Sequence, residues 1–188
     1  MFYLPNIFIK ILKKLGIYFF SKKIYKIFFE KIIPFEIKTT ENYIIDNLVN
    51  KELGSIIDIG AHKGDKTSLF LKYFPNDNYY LFEPFDEYYK IMKKKFKNKN
   101  NIHIYKKGVS YHEGIENFYT SNNKKYSEGF SLKKNKFLEN VEKIEVISLD
   151  KMKFADKIKL IKLDAEGHEL EILKGASKLI LNNNPILL

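Results

Sequence analysis

The chain of 188 residues has no cysteine and no arginine, and its 33 basic residues are all lysine. Without cysteine, neither a disulfide framework nor a thiolate zinc site is available, and a reducing compartment is compatible with the composition. Without arginine, the bidentate phosphate and guanine contacts of nucleic-acid recognition are missing. The net charge of +10 is therefore read as an AT-rich coding bias, which the abundance of Asn, Ile, Tyr and Phe shares, and no nucleic-acid partner is expected. Long apolar runs are lacking too. No stretch approaches the ~20 residues that a bilayer-spanning helix needs. A signal peptide fits poorly, because lysines interrupt the first apolar positions and no small-residue cleavage site follows.

The length suits one domain with a sizeable core plus an appendage. Residues 1–37 form the appendage, a basic amphipathic arm: Ile7, Phe8, Ile11, Leu12, Leu15 and Phe19 share one helical face, with Lys10, Lys13, Lys14 and Lys22 mostly away from it. Two readings of the arm stand, helices packed on the following domain or a helix lying on an anionic membrane surface. The expected location is cytoplasmic, and the second reading would add peripheral attachment at the inner face of the membrane. Residues 38–188 form the main domain, opened by a helix over residues 39–51.

The organising stretch is Ser55-Ile56-Ile57-Asp58-Ile59-Gly60-Ala61-His62-Lys63-Gly64-Asp65. Its apolar run predicts a buried parallel strand. Gly60 allows a sharp turn off that strand without a Cβ penalty, and Gly64 allows the next helix to pack close to the sheet. That helix carries Leu69, Phe70, Tyr73 and Phe74 on one face and ends at Pro75-Asn76-Asp77-Asn78. A second strand, Tyr79-Tyr80-Leu81-Phe82, ends in Glu83-Pro84, and a carboxylate there is placed to accept hydrogen bonds from a ribose diol. Where a dinucleotide fingerprint has its middle glycine, this chain has His62, so a ligand without phosphates fits better. The bland alternative is an ordinary βαβ turn with a surface glutamate.

Tyr88, Tyr89, Met92 and Phe96 predict another helix, and Ile102-His103-Ile104-Tyr105 a third strand, with His103 on its outward face. Between Gly108 and Asp150 the βα alternation breaks down. Glu116-Asn117-Phe118-Tyr119 and Ile144-Glu145-Val146-Ile147 read as short strands added at an edge. Residues 121–140 between them are polar, either an acceptor-binding loop or a flexible insertion. Ile158-Lys159-Leu160-Ile161-Lys162-Leu163 reads as a fourth central strand in which Lys162 must snorkel or find a partner. One helix follows, with Leu170, Leu173, Ala176 and Ile180 along it and Gly175 inside it, and Ile186-Leu187-Leu188 closes the sequence as an apolar strand.

The glycine turn with Glu83 resembles a class I S-adenosylmethionine-dependent methyltransferase. Five ordered motifs narrow this: Ile57-Asp58-Ile59-Gly60-Ala61, Phe82-Glu83-Pro84, Gly108-Val109-Ser110, Ser148-Leu149-Asp150, and Ile161-Lys162-Leu163-Asp164-Ala165-Glu166-Gly167-His168-Glu169 with Leu173-Lys174-Gly175-Ala176. Across residues 55–188 the chain is similar to the FkbM family of methyltransferases. The resemblance implies an α/β fold, a Rossmann-like, doubly wound, mostly parallel sheet with helices on both faces. It also implies methyl transfer from S-adenosylmethionine, usually to a hydroxyl of a sugar or a polyketide-type natural product. Two departures stand out. The family commonly has Asn at the position of His62, and its chain continues past the fifth strand into a closing antiparallel pair. The expectation is therefore a domain whose last strands are missing.

The resemblance implies a cofactor set of Asp58, Gly60, His62, Gly64, Glu83, Ser110 and Asp164, with Asp65 and Thr67 as secondary contacts. Asp58 and Gly60 would shape the methionine pocket and Glu83 would take the ribose hydroxyls. For the base that accepts the acceptor's proton, His168 comes first because imidazole titrates nearest neutral pH. Asp164 and Glu166 are the alternatives, and Glu166 and Glu169 could instead cap the following helix. No cluster of ligands supports a metal. Two rival functions remain: a non-catalytic methyltransferase-like module at a membrane surface, and a nicotinamide-dependent oxidoreductase or epimerase.

Overall fold

The structure, a computed structural model, describes residues 53–121, 131–134 and 138–188. The amphipathic arm, the helix expected over residues 39–51 and most of the polar stretch 121–140 lie outside the described residues.

Five parallel strands form the central sheet in the order β3-β2-β1-β7-β8: β1 (Ser55–Ile59), β2 (Asn78–Phe82), β3 (Ile102–Tyr105), β7 (Ile158–Leu163) and β8 (Ile186–Leu187). Helices α1 (Asp65–Tyr73) and α2 (Asp86–Lys95) follow β1 and β2. Every residue of β1 is buried, as expected where helices cover both faces of a parallel sheet. On one face Ile57, Ile59, Tyr80, Phe82 and Ile161 pack with Ile172 and Leu179 of the C-terminal helices. On the other, Thr67 of α1 bonds Asp58, and the Tyr79 hydroxyl donates to the carbonyl of Phe74 just beyond α1. The mostly parallel Rossmann-like α/β expectation is met.

Three details differ from the sequence reading. The two short strands do not extend the central sheet. They are β5 (Gly114–Thr120) and β6 (Asn140–Ile147), antiparallel partners that form a separate sheet with β4 (Gly108–Val109) in the order β4-β6-β5. The apolar sides of Phe118, Ile144 and Val146 build their own small core there, which an edge addition could not bury.

Secondly, the last helix is two. After a single 3-10 turn at Leu149–Lys151, α3 (Glu169–Gly175) and α4 (Ser177–Asn183) break at Ala176. The Ser148 hydroxyl takes the Gly175 carbonyl, and Asp150 caps the new N-terminus through Lys178 and Leu179. The buried face is consequently Ile172, Ala176 and Leu179, while Leu170 is exposed.

Lastly, Tyr73 lies on the solvent side of α1, and Phe70 and Phe74 carry its buried face.

Candidate active site

A cavity of about 330 Å³ opens at the carboxyl ends of the central strands, where ligands of open parallel sheets bind. The turn after β1 forms its floor. Gly60 is left-handed (φ 67°), and a Cβ there would fall 2.0 Å from the Asp164 carbonyl oxygen, so only glycine lets the β1 and β7 ends approach this closely. His62 also adopts the left-handed region (φ 52°) and its ring lies against Tyr88, with centroids 3.9 Å apart. Gly64 (φ 72°) precedes α1, but its missing Cβ makes room for the Phe96 ring, not for the sheet.

Glu83 is the chemical centre of one end. It is buried, and its two carboxylate oxygens accept the backbone N–H groups of His62 at 2.8 Å and Phe85 at 2.9 Å. Burial pushes its pKa up to about 7 against the pull of those two N–H groups. No cation bonds it in the hydrogen bonds described, so hydroxyl donors would be its natural complement. Each of its oxygens keeps acceptor capacity beyond the backbone bond.

The other end belongs to the turn after β7. Lys162 stands directly opposite Asp58 in the β1–β7 register, and its ammonium lies 3.0 Å from Asp58 Oδ1 and 3.5 Å from Asp164 Oδ2. It also donates to the carbonyls of Gly60 at 2.9 Å and Ile59 at 3.4 Å. Burial opposes its charge, but the Asp58 and Asp164 carboxylates outweigh that and hold Lys162 above the ordinary lysine range. This is the partner that the interrupted apolar strand demanded. Glu166 is left-handed (φ 48°) and its carbonyl accepts the Ser131 hydroxyl at 2.9 Å. Glu169 reaches back from the first position of α3 to the N–H groups of Ala165 and Gly167, so it ties down the turn before the helix and does not cap the helix's own N–H groups.

The cavity thus brings together Gly60, His62, Glu83, Asp164 and Glu166 from the expected set, with Asp65 beside them. Four others are elsewhere. Asp58 is wholly buried under the floor and is held by Lys162 and by Thr67 Oγ1 at 2.7 Å. Gly64 faces Phe96. Ser110 and His168 pair with one another, Nε2 to Oγ at 3.1 Å, and neither lines the cavity. Burial keeps the His168 imidazole below the ordinary histidine range. Lys162, Tyr88, Phe118, Ser131 and Leu132 line the cavity without having been marked as site residues. For Lys162 the signal was present, a cation in a buried strand; for Phe118 and Leu132 it was not, since their position depends on the second sheet. Among the described residues no three His, Cys, Asp or Glu side chains are grouped to hold a metal ion. No described helix is long and apolar enough to cross a membrane.

The model of the methyltransferase FkbM domain matches residues 58–188. No curated protein matches the chain. Among solved structures, similarity extends to the crystal structure of precorrin-6y C5,15-methyltransferase from Geobacter metallireducens GS-15, at 13% sequence identity and a TM-score of 0.41. The match covers 73% of this chain and 54% of that one, so the chain spans about half of that protein's length.

Proposed function

The chain belongs to the FkbM methyltransferase family, and from that premise we propose that it binds S-adenosylmethionine in the cavity and methylates a hydroxyl of a sugar, a surface glycan or a natural product. The observation that carries the reading is Glu83: a buried carboxylate, fixed by two backbone N–H groups, at the end of β2 on the cavity wall. Such a group suits a ribose diol, which brings two hydroxyl donors and no negative charge.

Glu83 would hold the ribose, and the Gly60–His62 turn would carry the chain of the cofactor across the end of β1 towards Asp164. The cofactor supplies an electrophilic methyl group on a sulfonium, so transfer breaks a carbon–sulfur bond, forms a carbon–oxygen bond and leaves a thioether. The protein has then to orient the acceptor in line and remove its hydroxyl proton. Glu166 is the base in this reading, since it lines the cavity and its carbonyl holds Ser131; Ser131, Phe118 and Leu132, which also line the cavity, would form the acceptor wall. His168, first choice from the sequence, pairs with Ser110 and does not line the cavity.

Calorimetric titration with S-adenosylhomocysteine and, separately, NAD tests the proposal. Saturable binding of the former alone, lost in Glu83→Ala, supports it; preference for NAD would favour the oxidoreductase reading, and binding of neither by folded protein the non-catalytic one. Peripheral attachment through residues 1–37 is a separate part of the proposal. Co-sedimentation with anionic vesicles at low salt supports it, and its failure removes it.

A further inference from the structure

Lys162 lines the cavity yet has no hydrogen to give a ligand. Its three N–H donors face four acceptors: Asp58 Oδ1, the carbonyls of Ile59 and Gly60, and Asp164 Oδ2. Asp58, with Thr67 on its second oxygen, is spent below the floor. Asp164 is different. Its side chain is 62% exposed, it lines the cavity, and Lys162 is the cation beside it.

Sheet order supplies the spacing. β1 lies between β2 and β7, so Glu83 and Asp164 follow strands two interstrand distances apart, roughly 10 Å. The cavity is lined by both carboxylate residues, one on either side of the Gly60 turn. The first suits a neutral diol; the second, an exposed carboxylate beside Lys162, suits a cation at the far end of the same ligand.

We propose that Lys162 is a positioning residue that fixes Asp164 to accept the α-ammonium of the cofactor's amino-acid tail, so that the site selects nucleosides carrying that tail. The proposal rests on the cofactor reading given above. Lys162 touches no ligand atom. It acts by tying the Gly60 turn and the Asp164 carboxylate to one buried anchor, Asp58.

The test compares wild type, Asp164→Asn, Lys162→Met and Lys162→Arg by calorimetry with two probes. S-adenosylhomocysteine has the amino-acid tail and 5′-methylthioadenosine lacks it. Asp164→Asn alters an exposed side chain and should weaken S-adenosylhomocysteine about tenfold, the worth of one charge-assisted hydrogen bond, with methylthioadenosine binding unchanged. Lys162→Met should reproduce this selective loss. If the unpaired Asp58 prevents that variant from folding, Lys162→Arg keeps the charge but changes the donor geometry, and the same selective loss is expected of it. Equal loss of both probes, or undiminished S-adenosylhomocysteine binding in the folded variants, overturns the inference while leaving the cofactor reading intact. Wild type that binds neither probe overturns both.

Discussion

The backbone N–H of His62 donates to Glu83 Oε2 at 2.8 Å, so the turn after β1 and the carboxylate after β2 are one hydrogen-bonded unit. Twenty-one residues separate them in sequence; adjacent parallel strands bring them together.

Ligand binding should follow the ionisation of Glu83. Burial raises its pKa to about 7, and ribose hydroxyls donate to the charged form, so affinity for S-adenosylhomocysteine should rise as pH increases through about 7. Stability without ligand runs the other way. A carboxyl whose folded pKa exceeds the ordinary ~4.3 contributes stability that is complete below that value and lost as pH rises through about 7. Glu83→Gln should weaken binding and flatten both dependences, measured by calorimetry and by thermal unfolding across pH. A slope unchanged in Glu83→Gln would assign it to another group.

His168 should act on stability and not on chemistry. Its depressed pKa means that the unfolded chain takes up a proton more readily than the folded one. The contribution is complete above the ordinary value of about 6.5 and is lost as pH falls below it. His168→Gln should reduce this acid sensitivity in urea titrations and leave turnover intact once cofactor is bound. A folded, cofactor-loaded variant without turnover would return His168 to the role of base.

Asp150 caps α4 from outside the helix, with Oδ1 accepting Leu179 N–H at 2.8 Å and Oδ2 accepting Lys178 N–H at 3.1 Å. Asp150→Ala should cost about 1 kcal/mol, the usual worth of an N-terminal cap, with cofactor affinity unaffected. Chemical denaturation gives the number, and a loss below measurement error would mean that water replaces the cap.

Gly175→Ala should be far more harmful. A Cβ there would lie 2.1 Å from the Ser110 carbonyl oxygen, and backbone on both sides has little room to yield. A loss of about 1–3 kcal/mol or more is expected from overpacking, read from the unfolding midpoint. Near-native stability would mean that α3 can slide away from the end of β4.

Much of the scaffold was legible because local chemistry wrote it. Ile56, Ile57 and Ile59 read as a strand, and Pro75-Asn76-Asp77-Asn78 as the end of a helix, from residue type and spacing alone. Gly60 announced a sharp turn off the first strand, and the structure has a left-handed residue there. Leu170 and Ile180 suggested one continuous apolar helix face, yet Ser148 takes the Gly175 carbonyl and Asp150 the N–H groups of Lys178 and Leu179, and between them the helix is split. Helical periodicity cannot register a hydrogen bond from another element.

The same boundary runs through the site. Sequence alone determined the strand–turn–helix frame, the acidic residue after β2 and the family motifs, because these depend on residue type and spacing over a few positions. Tertiary structure alone decided which of the acidic and imidazole groups meet the cavity. Asp58 was drawn under the floor by Lys162, its cross-strand neighbour, and His168 was turned to Ser110, while Glu166 stayed on the cavity wall. A side chain's exposure is fixed by the partners that satisfy its charge and hydrogen bonds, and here those partners are contributed by strands and turns far away in the chain.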